Sequence, residues 1–293
     1  MPALLRYYTD PACPWSWGAE PALRRLLWEF EGELEAAWVM GGLARSYGAD
    51  YRDEEGQIGA GPDCHADLIS HWLEVAARTG MPADPRIWTE GPLTGTYPAC
   101  QAVKAASEQG WEAGYRYLRR LREGIMFERR KLDHLDALIA LAGPAKLDRA
   151  RFEIDLRSNA ITEAFAADLD EVRAPPDEAR EANGVRATEG GRERVVFPSA
   201  VFVGEDGSRQ GVWGSTGAEV LRQAALEAGA SQVNEGTLEP LAAVERFGRC
   251  ATRELEQLSG KPRPVLEAEL WGLAKDWSLK PVEALTGTIW ERP

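Results

Sequence analysis

The sequence predicts an α/β protein in which a strand–helix–strand half and a strand–strand–helix half are separated by a long helical stretch. Three observations predict it. A short aromatic run begins almost at the first residue and is followed by a helical run and a second strand. More than a hundred residues then carry helical apolar spacing. Strand character returns at Val195–Val203 beside a tight turn.

The elements follow in order. Leu4–Tyr8 suits a buried strand, and Asp10-Pro11-Ala12 turns the chain. Pro14 suits the first position of a helix, where its missing amide hydrogen costs nothing. From Trp15 to about Glu31, Trp17, Leu23, Leu26, Leu27 and Phe30 recur at helical spacing. Leu34–Met40 reads as the second strand, stopped by Gly41-Gly42, and 47–61 as a polar loop. Helical segments fill about 66–183. Glu205-Asp206-Gly207 makes a hairpin turn into Gln210–Trp213, and a helix at Ala218–Ala228 closes this part. After a polar linker, Leu241–Leu258 and Val265–Trp277 read as two amphipathic helices, with a short tail to Trp290. The expected division is 1–60 with 190–230 as one α/β domain, 61–189 as a helical insertion and 231–293 as a C-terminal helical extension.

Composition limits the partners. The 293 residues are 44% hydrophobic, enough for a sizeable core, and 34 basic against 47 acidic residues give a net charge of -13. Phosphate binding needs a basic surface, so nucleic acid and anionic membrane are not expected partners. No apolar run approaches the ~20 residues of a membrane span. The first residues lack a secretory pattern, so a cytoplasmic location with reduced thiols is expected.

The chemistry centres on Cys13. A helix N-terminus presents free amide hydrogens and the positive end of the helix dipole, which favour a thiolate and should lower the thiol pKa. Three residues on, where a resolving cysteine would stand in a C-x-x-C pair, this chain has Ser16. Its hydroxyl can donate to a thiolate but cannot close a disulfide. Pro14 and Trp15 flank the thiol. Phe197-Pro198 interrupts a β-rich run, where proline is disfavoured unless it makes a special bend; a cis bond there would expose the Phe197 backbone to an extended substrate. Cys100 is a candidate remote thiol, although a buried structural cysteine is the plainer reading. Cys64-His65 has no companion at metal-ligand spacing, and no metal site is expected.

These motifs, Asp10-Pro11-Ala12-Cys13-Pro14-Trp15-Ser16-Trp17-Gly18 and Phe197-Pro198-Ser199, resemble the active-site helix and cis-proline loop of the DsbA family. The resemblance implies a thioredoxin fold (β-α-β then β-β-α) with a large all-α insertion over about residues 3–230. Arg78-Thr79-Gly80-Met81-Pro82 and the run from Tyr97 to Ala106 are similar to the cytoplasmic FrnE-like and ClpXP-adaptor-like branch. More distantly, Cys13-Pro14-Trp15-Ser16-Trp17 is similar to the D-x-x-S-P-Y-S-W stretch of kappa-class glutathione transferases and 2-hydroxychromene-2-carboxylate isomerases. The resemblance implies a DsbA-like monothiol thiol-disulfide oxidoreductase, or a deglutathionylating or isomerase-type protein, acting through Cys13 and Ser16, with Pro14, Trp15, Phe197 and Pro198 at the substrate. No tightly bound cofactor is expected, glutathione is a candidate co-substrate, and partners would be protein or peptide thiols and disulfides. The alternatives are a glutathione-dependent transferase or isomerase and a non-enzymatic protein-binding adaptor.

Overall fold

The computed structural model describes residues 2–47, 64–188 and 192–293, with the backbone alone at residue 64. The polar loop expected at 47–61 therefore falls, apart from Tyr47, outside the described residues. The central sheet places β2 (Leu34–Met40), β1 (Ala3–Thr9), β5 (Ser199–Val203) and β6 (Arg209–Trp213) side by side in that order. Its first strands are β1 (Ala3–Thr9) and β2 (Leu34–Met40), paired in parallel through α1 (Pro14–Gly18) and α2 (Glu20–Glu29). The single helix expected after Trp15 is thus broken at Ala19 into two.

The insertion carries α3 (Cys64–Thr79), α4 (Ile87–Glu90), α5 (Tyr97–Ser107) and α6 (Trp111–Arg122). A π-helical turn (Glu123–Phe127) extends α6, followed by α7 (Leu135–Leu141), α8 (Arg149–Leu156), α9 (Asn159–Val172) and α10 (Asp177–Glu181). Asp148 and Ser158 cap α8 and α9 by accepting the backbone amides of Arg151 and Ile161, satisfying donors that the first turn leaves without partners.

The strand run expected at 195–203 is divided in two. β3 (Val185–Ala187) and β4 (Glu193–Val195) form a separate hairpin, and β5 (Ser199–Val203) enters the main sheet antiparallel to β1. The edge strand β6 (Arg209–Trp213) and α11 (Ala218–Glu227) complete this half. Alternation along the strands sends Leu5, Tyr7, Trp38, Ala200 and Phe202 to the main core. Tyr8, Val39 and Val201 face the opposite side, in a smaller cluster with Cys13, Val172 and Phe197.

The C-terminal region departs from the helical extension expected there. It holds α12 (Pro240–Phe247), β7 (Cys250–Ala251), α13 (Thr252–Ser259), α14 (Arg263–Lys275), β8 (Lys280–Ala284) and β9 (Gly287–Glu291), with a three-stranded sheet ordered β7-β9-β8. The expected 241–258 helix ends at Gly248, whose φ of +80° is a left-handed conformation that glycine adopts without a Cβ clash. The tail to Trp290 becomes a strand pair with its own core around Leu255, Leu266, Leu270 and Trp290.

A buried charge network seats this region on the first two. Glu254 on α13 accepts two hydrogen bonds from Arg119 of α6, at 2.8 and 2.9 Å, and lies 3.2 Å from the Nε of Arg24 on α2. Arg24 also donates to the Arg249 carbonyl at 2.7 Å. Glu20 pairs with Arg119 and Arg122, and accepts from the Tyr115 hydroxyl at 2.9 Å. Burial opposes ionisation of Glu20, but the surrounding arginines outweigh it and lower its pKa.

Candidate active site

Cys13 sits where β1 hands over to α1 and is the N-cap residue of that helix, with φ −77° and ψ 116°. The Ser16 amide donates to Cys13 Sγ at 3.4 Å, so the thiol sulfur fills the role that a serine or aspartate oxygen has at an ordinary cap. Pro14 stands at the first helical position, as its fixed φ favours.

Asp10 builds the turn that aims the cysteine. One carboxylate oxygen accepts the Ala12 amide at 2.9 Å. The other accepts from the Leu43 amide at 2.7 Å, the Thr96 hydroxyl at 2.9 Å and the Cys100 thiol at 3.4 Å. A single buried side chain thereby joins the Cys13 turn, the segment after β2 and the start of α5.

Trp17, on the inner face of α1, donates its indole N–H to the Pro82 carbonyl at 2.7 Å and lies beneath the Arg119 guanidinium, 4.4 Å from ring to cation. Gly18 lets α1 approach α3, because a Cβ there would come within 2.5 Å of Thr79 Cγ2.

The second wall comes from the loop before β5, where the Phe197-Pro198 peptide is cis. Ser199 pairs with Tyr8 in the sheet, which brings this loop to the same end of the sheet as Cys13. Phe197 packs in the cluster that contains Cys13. Its ring occupies the space beside Gly41, where an added Cβ would overlap it. Trp15 is half-buried against the same cluster. It has the His71 ring 6.4 Å away and the Arg78 guanidinium 5.9 Å from its centroid.

The thiol pKa differs in direction from the sequence expectation. Cys13 is 5% exposed, and burial pushes its pKa above the ordinary thiol value. The Ser16 side chain and amide and the charge of Arg194 favour the thiolate, while the nearby Asp10 carboxylate opposes it. The sum remains upward. Desolvation is the largest contribution, and the hydrogen bonds from Ser16 and the charge of Arg194 do not offset it. The Ser16 hydroxyl is itself fully buried and makes no full hydrogen bond among the described residues.

Cys100, the candidate remote thiol, is fully buried as a donor to Asp10. Burial and that carboxylate hold its pKa well above the ordinary value. Its geometry is that of a structural hydrogen-bond donor, and its thiol is turned to Asp10. The side chain of Cys64 lies outside the described residues, and no group of metal-ligating side chains occurs among the described residues. Sequence reasoning assigned no site role to Asp10, Gly41, Thr96 or Arg194. Asp10 alone carried a signal, as the first residue of the motif. The others are more than 25 residues from Cys13 in the chain.

A four-stranded mixed sheet with a lone cysteine capping the first helix opposite a cis-proline loop defines a thioredoxin-fold protein. The family model described as "Thioredoxin" matches residues 7–173, and the chain belongs to that family. Among curated relatives, it is 32% identical over 170 residues to the ClpXP adapter protein SpxH of Halalkalibacterium halodurans. That match covers 56% of this chain, and the chain spans about half (53%) of that relative. SpxH of Bacillus subtilis is 24% identical over 295 residues, covering 99% of this chain and 89% of that one. Two solved structures share the fold. A Nitrosomonas europaea protein described as a candidate protein disulfide isomerase has a TM-score of 0.58 at 21% identity, covering 78% of this chain and 97% of that one. The cytosolic disulfide reductase DsbM of Pseudomonas aeruginosa has a TM-score of 0.52 at 20% identity, covering 71% and 88%, and has also been solved with GSH. Among the described residues no helix is long and apolar enough to cross a membrane.

Proposed function

We propose that the chain is a monothiol thiol-disulfide exchange protein that acts through Cys13. The observation that carries this reading is the placement of a lone thiol at the N-cap of α1, in one apolar cluster with Trp15 and Phe197, with Ser16 in the resolving position. In the first step Cys13 thiolate attacks the glutathione sulfur of a protein–glutathione mixed disulfide. A Cys13–glutathione disulfide forms, and the protein thiolate leaves and takes up a proton. A second glutathione thiolate then attacks that disulfide, releasing oxidised glutathione and restoring the Cys13 thiolate. The net change converts one mixed disulfide and one glutathione into one protein thiol and one glutathione disulfide. Ser16 cannot compete for the intermediate, so an external thiol completes the cycle. The Pseudomonas reductase solved with GSH supports glutathione as that thiol.

The raised pKa makes the resting sulfur mainly a thiol at neutral pH, so exchange should quicken as pH rises. The test is the rate of Cys13 alkylation against pH, together with release of glutathione from a glutathionylated peptide. The expected midpoint lies above that of a free cysteine, and Cys13→Ser loses at least a hundredfold in peptide turnover. Unchanged turnover in Cys13→Ser overturns the reading.

A second reading, a protein-binding adaptor without turnover, is favoured by the burial of Cys13 and by relatives named as ClpXP adapters. It predicts that Cys13→Ser binds the same protein partner with unaltered affinity, and that no turnover occurs at any pH.

A further inference from the structure

The strand β6 lies at the edge of the central sheet and pairs only with β5. Among the described residues, the backbone groups along its outer side therefore have no strand partner. Such an edge is a template for another extended chain unless proline, a bulge or a cover blocks it. β6 contains no proline, and its register with β5 runs residue for residue without a bulge.

Alternation along β6 turns Gln210 and Val212 toward α11, and Arg209, Gly211 and Trp213 to the opposite face. On that opposite face the Trp213 ring folds back over Gly211, where a Cβ would come within 2.8 Å of it. On the α11 face an open groove of about 400 Å³ lies between strand and helix. Val212 and Ala224, both buried, form its apolar floor, and Val220, 50% exposed, stands beside them.

Two carboxylates set the charge of this groove. Glu227 accepts from the Gln223 side-chain amide at 2.8 Å and has no cationic partner among the described residues. Glu219 is 77% exposed and contacts Arg222, but that guanidinium is already held by Glu29 at 2.6 and 2.8 Å. An exposed pair of this kind is weak, so an incoming cation can compete for Glu219. The field of a chain of net charge -13 draws cations in the same direction.

The spacing of the two carboxylates fits an extended occupant. Glu219 and Glu227 stand eight residues apart on α11, about 12 Å along the helix axis at ~1.5 Å per residue. An extended strand covers about 13 Å in four residues, and its side chains at i, i+2 and i+4 share one face. Two basic residues four apart therefore reach both carboxylates, and the residue midway between them meets Val220 and the apolar floor. A second copy of this chain fits less well. It would bring its own Glu219 and Glu227 to the same strip and gather like charges there.

We propose that the β6 edge and the α11 groove bind an extended basic segment of a partner protein as an added strand of the central sheet. Lysine or arginine side chains of that segment meet Glu219 and Glu227, and an apolar side chain between them enters the groove. Main-chain hydrogen bonds to β6 hold the segment, and the groove supplies selectivity. The site is separate from the thiol chemistry: Val212 and Ala224 belong to the main core, whereas Cys13 lies in the smaller cluster.

The experiment measures binding of the full chain to two labelled peptides. The basic probe is Thr-Thr-Lys-Thr-Val-Thr-Lys-Thr-Thr, and the acidic probe has Glu in place of both Lys. At low salt the native chain should bind the basic peptide about tenfold or more tighter than the acidic one. The preference should fall toward one in Glu219→Gln with Glu227→Gln, and reverse in Glu219→Lys with Glu227→Lys. Hydrogen exchange of the 209–213 amides should slow when the basic peptide is bound. Absence of binding, or binding without that slowing, overturns the inference. A preference that survives the paired Gln variant also overturns it, because the charge of the whole chain would then be the cause. Slowing that appears without peptide and grows with protein concentration assigns the edge to a second copy and overturns it as well.

Discussion

Cys13 shows how two opposing effects act on one sulfur. The cap hydrogen bond from Ser16 and the charge of Arg194 favour the thiolate, and burial at 5% exposure outweighs them. Removing a favourable contribution should therefore shift the balance further toward the thiol. Ser16→Ala keeps the backbone amide on Sγ but deletes the hydroxyl, so the alkylation midpoint should move to higher pH. A downward or absent movement would show that the hydroxyl does not act on the sulfur. The position of Cys13 was legible in the sequence, because a turn, a proline and a helical run lie within a few residues of it. The direction of its pKa was not. Desolvation is set by Val39, Val172, Phe197 and other groups that are distant in the chain.

Among the elements, the loop before β5 depends on a glycine that precedes it by more than 150 residues. Gly41, just after β2, leaves room for the Phe197 ring, and a Cβ there would overlap the ring edge. The expected effect of Gly41→Ala is displacement of Phe197 and Pro198 relative to Cys13. Catalysed exchange should fall at least tenfold, while alkylation of Cys13 by a small reagent should rise as the thiol loses cover. Both are read on the same sample, and exchange at the native rate would show that the ring can shift without consequence. The late β segment also shows how far local pattern reaches. Val195–Val203 reads as one strand because valine and phenylalanine stand on both sides of Pro198. Pro198 lacks the amide hydrogen that a continuous ladder needs, so the run divides into β4 and β5, which join different sheets.

For the molecule as a whole, the buried carboxylate of Glu254 joins the C-terminal region to α2 and α6. Its partners, Arg24 and Arg119, are almost fully buried. Breaking such a pair from one side leaves a buried charge uncompensated, at a cost of about 3–5 kcal/mol. Glu254→Ala should lower stability by about that amount in urea unfolding. It also removes the acceptor of the Ala251 amide, held at 2.6 Å. A loss below about 1 kcal/mol would mean that the network relaxes around the gap. The same network reaches the active-site helix, because Arg119 lies over Trp17. A second contact runs through Thr286 in the β8–β9 turn, which accepts the Ala83 amide at 2.7 Å beside the Pro82 carbonyl that holds Trp17. The C-terminal region thus buttresses the helix that carries Cys13.

By itself the sequence determined the order of the central elements, the place of Cys13 at a helix start, the special proline and the resemblance to thioredoxin-fold proteins. Each is written in patterns a few residues long: alternation in strands, helical spacing, turn residues and a short motif. Tertiary structure alone decided that the thiol is buried and its pKa raised, and that Cys100 serves Asp10. It also decided that Arg194 lies over the Phe197 ring, and that the C-terminal region is a helix-and-sheet unit seated on buried charges. Desolvation and charge pairing are sums over neighbours that only the folded chain assembles.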